Sequence, residues 1–98
     1  MKGIKIEVEE IEGICPVFEE GDKIIIEGAS LNLEQTDAYC VWASSSWMPY
    51  ILAIRSGVPA HEIGLSYETD TYYVQCLDPG KPYTPGGTVV FKIERLLD

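Results

Sequence analysis

Cys15, Cys40, Cys76 and His61 are the side chains of this 98-residue chain that could serve as nucleophiles, redox centres or soft-metal ligands. Zinc sites in small domains usually begin with close pairs such as C-x-x-C, because one turn then presents two thiolates at tetrahedral separation. No two of the three cysteines stand that close in the sequence. Thiol chemistry here would need a composite site assembled from separate elements, with His61 as a fourth ligand. The competing reading is three small, apolar, packed thiols. Since no paired spacing pre-organises a site, neither a cofactor nor a resident metal is expected.

Cys40 carries a more specific argument. The segment from Thr36 or Asp37 onward reads as a helix start, which places this thiol in the first turn, facing unpaired N–H groups and the positive end of the dipole. That environment favours a thiolate, whereas Asp37 and partial burial among Tyr39, Val41 and Trp42 oppose one. His61, next to Glu62 after Pro59, could be a base or a ligand, although a lone histidine in an irregular connection is more often a surface residue. Ser44, Ser45 and Ser46 lack the G-x-S-x-G context of a nucleophile elbow, and helix capping explains them more economically. The acidic residues Glu7, Glu9, Glu10, Glu12, Glu19 and Glu20 form no D-x-D-x-D-G loop, so calcium is not indicated. Gly86-Gly87 precedes a strand pattern and opens no helix, which removes a phosphate-cradling fingerprint.

Aromatic side chains form the second constellation. Trp42, Trp47 and Tyr50, together with Tyr39 and the tyrosines of the C-terminal half, are many for this length. Tyr and Trp fill cores, and they also line ligand pockets and homo-oligomer interfaces.

The elements that must position these residues follow from hydrophobic periodicity. Ile4, Ile6 and Val8 alternate with Lys5, Glu7 and Glu9, the period-two pattern of a half-buried strand, and Ile11 breaks the parity, which predicts a bulge near Glu10. Gly13, Pro16 and Gly21-Asp22 mark a connection to a second strand at Lys23–Glu27, paired antiparallel with the first. Residues 29–36 read as loop. After the expected helix start at 36–43, Trp47, Ile51 and Ile54 share a helical face over about 47–56, with Ser45 or Ser46 as N-cap, Pro49 in the first turn and Gly57 closing the end. Tyr72, Val74 and Cys76, then Val89, Phe91 and Ile93, alternate as a second hairpin. The order ββ-α-α-ββ predicts an α+β fold, a four-stranded antiparallel sheet with helices on one face, in one domain spanning 1–98. Its core should contain Ile4, Ile6, Val8, Val74, Phe91 and Ile93. In such a sheet all three thiols could gather at one end, and at least two are expected to be close.

Composition bounds the partners. The apolar fraction of 46% and charged fraction of 23% are those of a packed globular protein, and no run approaches a membrane-spanning helix. A formal charge of −9 repels phosphate backbones and anionic headgroups, and Lys2, Lys5, Lys23, Arg55, Lys81, Lys92 and Arg95 are scattered. Neither nucleic acid nor membrane is expected as a partner. The first ten residues hold no apolar run resembling a signal peptide, and an odd number of widely spaced cysteines suits a reducing compartment, so a cytoplasmic location is expected.

Three stretches together resemble a family of uncharacterised small proteins with three recurring cysteines, found in archaea and anaerobic bacteria. They are Cys15-Pro16 followed by Gly21-Asp22; Cys40 followed by Pro49-Tyr50-Ile51, Ala53, Arg55 and Gly57; and Cys76-Leu77-Asp78-Pro79 before a final strand. Members often carry Gly-His after the first Cys-Pro, where this chain has Val17-Phe18-Glu19, and proline after the other cysteines, where it has Val41 and Leu77. The resemblance implies a shared fold and a shared set of thiols, without a reaction.

Two functions follow as expectations. The first is a binding or interaction module whose pocket or homo-oligomer interface is built around Trp42, Trp47 and Tyr50, with a small-molecule ligand of unspecified class. The second is a thiol-dependent redox or metal-binding protein using Cys15, Cys40 and Cys76, with His61 nearby. Enzymatic activity is left open by both.

Overall fold

The computed structural model of the chain describes residues 3–96; Lys2, among the scattered cations above, lies outside them. Five strands form one antiparallel sheet: β1 (Gly3–Glu12), β2 (Lys23–Glu27), β3 (Ser30–Leu31), β4 (Thr71–Gln75) and β5 (Thr88–Leu96), in the order β3-β2-β1-β5-β4. Both expected hairpins form, and β1 paired with β5 joins them into a continuous sheet. The expected count of four strands is corrected to five. Gly28, at φ +60°, allows a two-residue turn that folds Ser30 and Leu31 back onto Glu27 and Ile26 within the segment read as loop.

Alternation places Ile4, Ile6, Phe91 and Ile93 on one face, where they are buried with Val8 and Ile24. Val74, expected among them, is half-buried and packs against this cluster from its margin. The opposite face sets opposite charges side by side, Lys5 beside Glu94 and Glu7 between Lys23 and Lys92. Such cross-strand pairs favour this register. The register of β1 against β5 shifts between Val8 and Glu10, and this bulge absorbs the parity break, so that Val8 and Ile11 both pack toward the core.

The helical stretch covers the apolar face. α1 (Ser44–Trp47) and α2 (Ile51–Arg55) are separated by a 3₁₀ turn, Met48–Tyr50, that contains Pro49. Proline has no N–H to continue the α-helical ladder, which accounts for the interruption. Trp47, Ile51 and Ile54 point inward as their spacing predicts, and Gly57, at φ +82°, closes α2 through its N–H to the Ile54 carbonyl. A second anchor is polar. Arg95 donates to the Ile54 carbonyl, the Tyr72 hydroxyl and the Asp70 carboxylate, while Tyr72 donates to the Val58 carbonyl at 2.6 Å, tying the end of α2 to the sheet.

The helix start expected at Thr36 or Asp37 does not occur. Thr36 accepts the Ile25 N–H at 3.1 Å and Asp37 accepts the Lys23 N–H at 3.0 Å, so these side chains satisfy the free edge of β2 beyond the short β3. Regular helix begins only at Ser44. Ser45 and Ser46 are no N-caps either; with Ser44 they lie inside the helical stretch and their hydroxyls donate back to the carbonyls of Val41, Trp42 and Ala43. Ser, Asp and Asn side chains compete for backbone groups wherever one is unpaired, and a strand edge attracts them as a helix end does.

A candidate thiol-lined cavity

Strand order decides where the cysteines go. β1 and β4 both run antiparallel to β5, so both finish at the same end of the sheet, beside the start of β5. Cys15 follows β1 and Cys76 follows β4, one residue past the strand end expected to hold it. The two chain segments meet at that end through glycine. Gly87 donates its N–H to the Glu12 carbonyl at 2.9 Å, and a Cβ on Gly87 would lie 2.6 Å from the Ile14 oxygen and 3.6 Å from the Cys15 Cα. Gly87 also holds φ +102°, which side chains disfavour. A residue with a side chain could not stand there without driving the Cys15 turn away.

Each sulfur is held by backbone N–H groups. Cys15 Sγ accepts from Val17 at 3.5 Å and Phe18 at 3.4 Å, a turn anchored by buried Phe18, whose ring meets Phe91 edge-on with centroids 5.5 Å apart. Cys76 Sγ accepts from Val89 at 3.2 Å, and its thiol faces the Gly87 carbonyl at 3.8 Å. Cys40 precedes the helical stretch and does not lie in a first turn, which corrects the expectation. Its Sγ accepts the Ala43 N–H at 3.4 Å while its carbonyl accepts the Ser44 N–H at 3.0 Å, the bonding pattern of a cap in which sulfur replaces the usual oxygen. The dipole argument for this thiol is therefore replaced by a directed N–H.

All three cysteines line one cavity of about 290 Å³. Phe18, Ala43 and Val89 form its buried wall, and Val17, Trp42 and Leu77, all exposed, stand around its mouth. Each cysteine is partly exposed. Asp78 is the one carboxylate in the lining, and its Oδ1 is already engaged by the Gly80 N–H at 2.8 Å and by the Thr84 hydroxyl. Those bonds, with Thr88 donating to the Asp78 carbonyl, shape the loop that delivers Gly87. Among the described residues no three His, Cys, Asp or Glu side chains are grouped so as to hold a metal ion.

The other candidates are dispersed. His61, in a 3₁₀ turn (Ala60–Glu62), is exposed and lines a shallow depression with Leu65, Tyr67 and Tyr73, apart from the thiols. Trp47 is buried at 1% exposure, with its ring edge-on to Tyr39, whereas Trp42 is 80% exposed at the thiol cavity and Tyr50 lies on the surface. The aromatic triplet therefore does not form one patch. Gly87, Asp78 and the Val89 N–H are positioning groups that sequence reasoning does not single out. The paired Gly86-Gly87 was the visible signal, since adjacent glycines ahead of a strand mark close backbone approach. Among the described residues no helix is long and apolar enough to cross a membrane. The chain matches no protein-family model, no curated protein and no solved structure.

Proposed function

We propose that the protein is a small binding module whose functional site is the cavity shared by Cys15, Cys40 and Cys76, and that it holds its ligand through sulfur. One observation carries this. Three thiols far apart in sequence line a single cavity, each with a backbone N–H directed at its sulfur. All three thiols pack against the hydrophobic core on one side, yet each is partly exposed and lines the cavity on the other. An N–H aimed at sulfur suits a sulfur that carries negative charge or binds a metal. The exposed apolar mouth at Val17, Trp42 and Leu77 adds contact area for the ligand or for the partner that delivers it.

Phenylarsine oxide, which bridges neighbouring thiols, tests this on the native chain. One equivalent should bind and shield at least two of the cysteines from iodoacetamide, with the shielding lost in C15S, C40S and C76S in turn. Alkylation indifferent to the arsenical, or thiols inert until the chain is unfolded, would remove the cavity as a functional site.

A further inference from the structure

Between the turn that joins β2 to β3 and the helical stretch lies a second pocket, of about 270 Å³, which shares no lining residue with the thiol cavity. Ile26 and Leu31 line it from the sheet, Trp47, Ile51 and Leu52 from the helical stretch, and Arg55 from the end of α2. We propose that this pocket binds a small amphipathic monocarboxylate, its apolar body against the aliphatic walls and its carboxylate toward Arg55 and the Trp47 indole. Volume sets the size of the apolar body. A dry aliphatic cavity of ~150 Å³ holds benzene, so this pocket takes something larger than a single ring.

Two donors set the polar end of the ligand. Trp47 is 1% exposed, and its Nε1 is buried with no hydrogen-bond partner among the described residues. Buried polar groups are otherwise paired, and an indole N–H, which only donates, is satisfied by an acceptor. The Tyr39 ring, edge-on to Trp47 with centroids 5.8 Å apart, supplies at most a weak π contact. Arg55 adds charge. It is exposed and in no ion pair among the described residues, whereas Lys5, Lys23 and Arg95 each have a carboxylate partner. A group that only accepts and carries negative charge answers both donors, and that group is a carboxylate. The formal charge of −9 penalises a doubly charged phosphate more than a single carboxylate. Nε1 is covered from solvent, so binding includes movement of a lining side chain; Met48, unbranched and exposed, moves most readily.

Octanoate is the probe, titrated into the full chain carrying ¹⁵N-labelled tryptophan, with the two indole N–H signals assigned through Trp42→Phe. The Trp47 signal should move downfield and saturate as its proton gains an acceptor, while the Trp42 signal, at the other cavity, stays in place. Arg55→Gln, on an exposed residue that leaves the fold intact, should weaken octanoate about fivefold, the effect of removing one exposed charge partner. Octanol, an acceptor without charge, should bind the parent and Arg55→Gln equally. Four results would overturn the proposal: no saturable movement of the Trp47 signal; movement of the Trp42 signal in its place, which puts octanoate in the thiol cavity; octanoate affinity unchanged in Arg55→Gln, which removes the carboxylate; or a Trp47 N–H that, before any octanoate is added, already has a hydrogen-bonded shift and a cross-peak to a long-lived water.

Discussion

Replacing Gly87 by alanine should damage this protein more than the same change at Gly21, and the difference measures the close approach that builds the cavity. Both glycines hold positive φ, +102° at Gly87 and +90° at Gly21, so each alanine is strained by about 1–3 kcal/mol. Each also gains a similar offset of about 0.4–1 kcal/mol from a less flexible unfolded chain. These contributions nearly cancel between the two variants. A Cβ at Gly21 meets nothing within 4 Å, whereas at Gly87 it would lie 2.6 Å from the Ile14 oxygen, a backbone atom that cannot swing aside. Relief requires the Gly13–Cys15 turn to move, and that breaks the Gly87 N–H bond to Glu12, worth about 1 kcal/mol. With lost packing added, Gly87→Ala should cost about 2 kcal/mol more than Gly21→Ala. Urea unfolding would show this as a midpoint difference on the order of 1 M at equal slopes. Thiol reactivity should change in Gly87→Ala alone, because Gly87 borders both Cys15 and Cys76. Midpoints within about 0.2 M of each other would mean that the two loops are not locked back to back.

Further variants test the remaining supports. Trp47→Ala should cost about 3–5 kcal/mol and Ile51→Ala about 2–5 in urea unfolding, because both fill the core beneath the sheet. Tyr72→Phe should cost about 1–3 kcal/mol, since the Val58 carbonyl and Arg95 each lose a partner, while Asp70→Asn, on a carboxylate that is largely exposed, should stay within about 0.5. Trp42→Ala should leave stability within about 0.5 kcal/mol yet speed iodoacetamide modification of the native thiols by uncovering the cavity mouth; an unchanged rate would place Trp42 away from the thiols' approach path.

What the chain determined locally is the set of strands, the inward helix face and the Gly57 stop. Ile4, Ile6 and Val8, or Phe91 and Ile93, alternate in a way that only a half-buried strand satisfies, and Trp47, Ile51 and Ile54 recur with the helical period. The parity break at Ile11 announced the bulge in the same way. Each of these patterns spans a few residues and is enforced by burial of one face. The errors arose where a side chain had a choice of backbone partner. Thr36 and Asp37 suit a helix start chemically, and only the unpaired edge of β2 beyond a two-residue β3 determined that they bond there instead.

The thiol cavity belongs to the tertiary structure. That Cys15 and Cys76 leave the sheet at one end depends on β1 and β4 flanking β5, a pairing between residues more than seventy positions apart at the β1 side that no local periodicity encodes. The cysteines and the Gly86-Gly87 pair were visible in the chain, but their meaning was not, because whether a backbone comes within contact of another is set by strand order and by which loops share an end of the sheet. His61 shows the converse: it has the chemistry of a fourth ligand, and the fold carries it to a different surface. Residue types determined what chemistry was possible here, and the closure of the sheet through β1 and β5 decided which of those residues could act together.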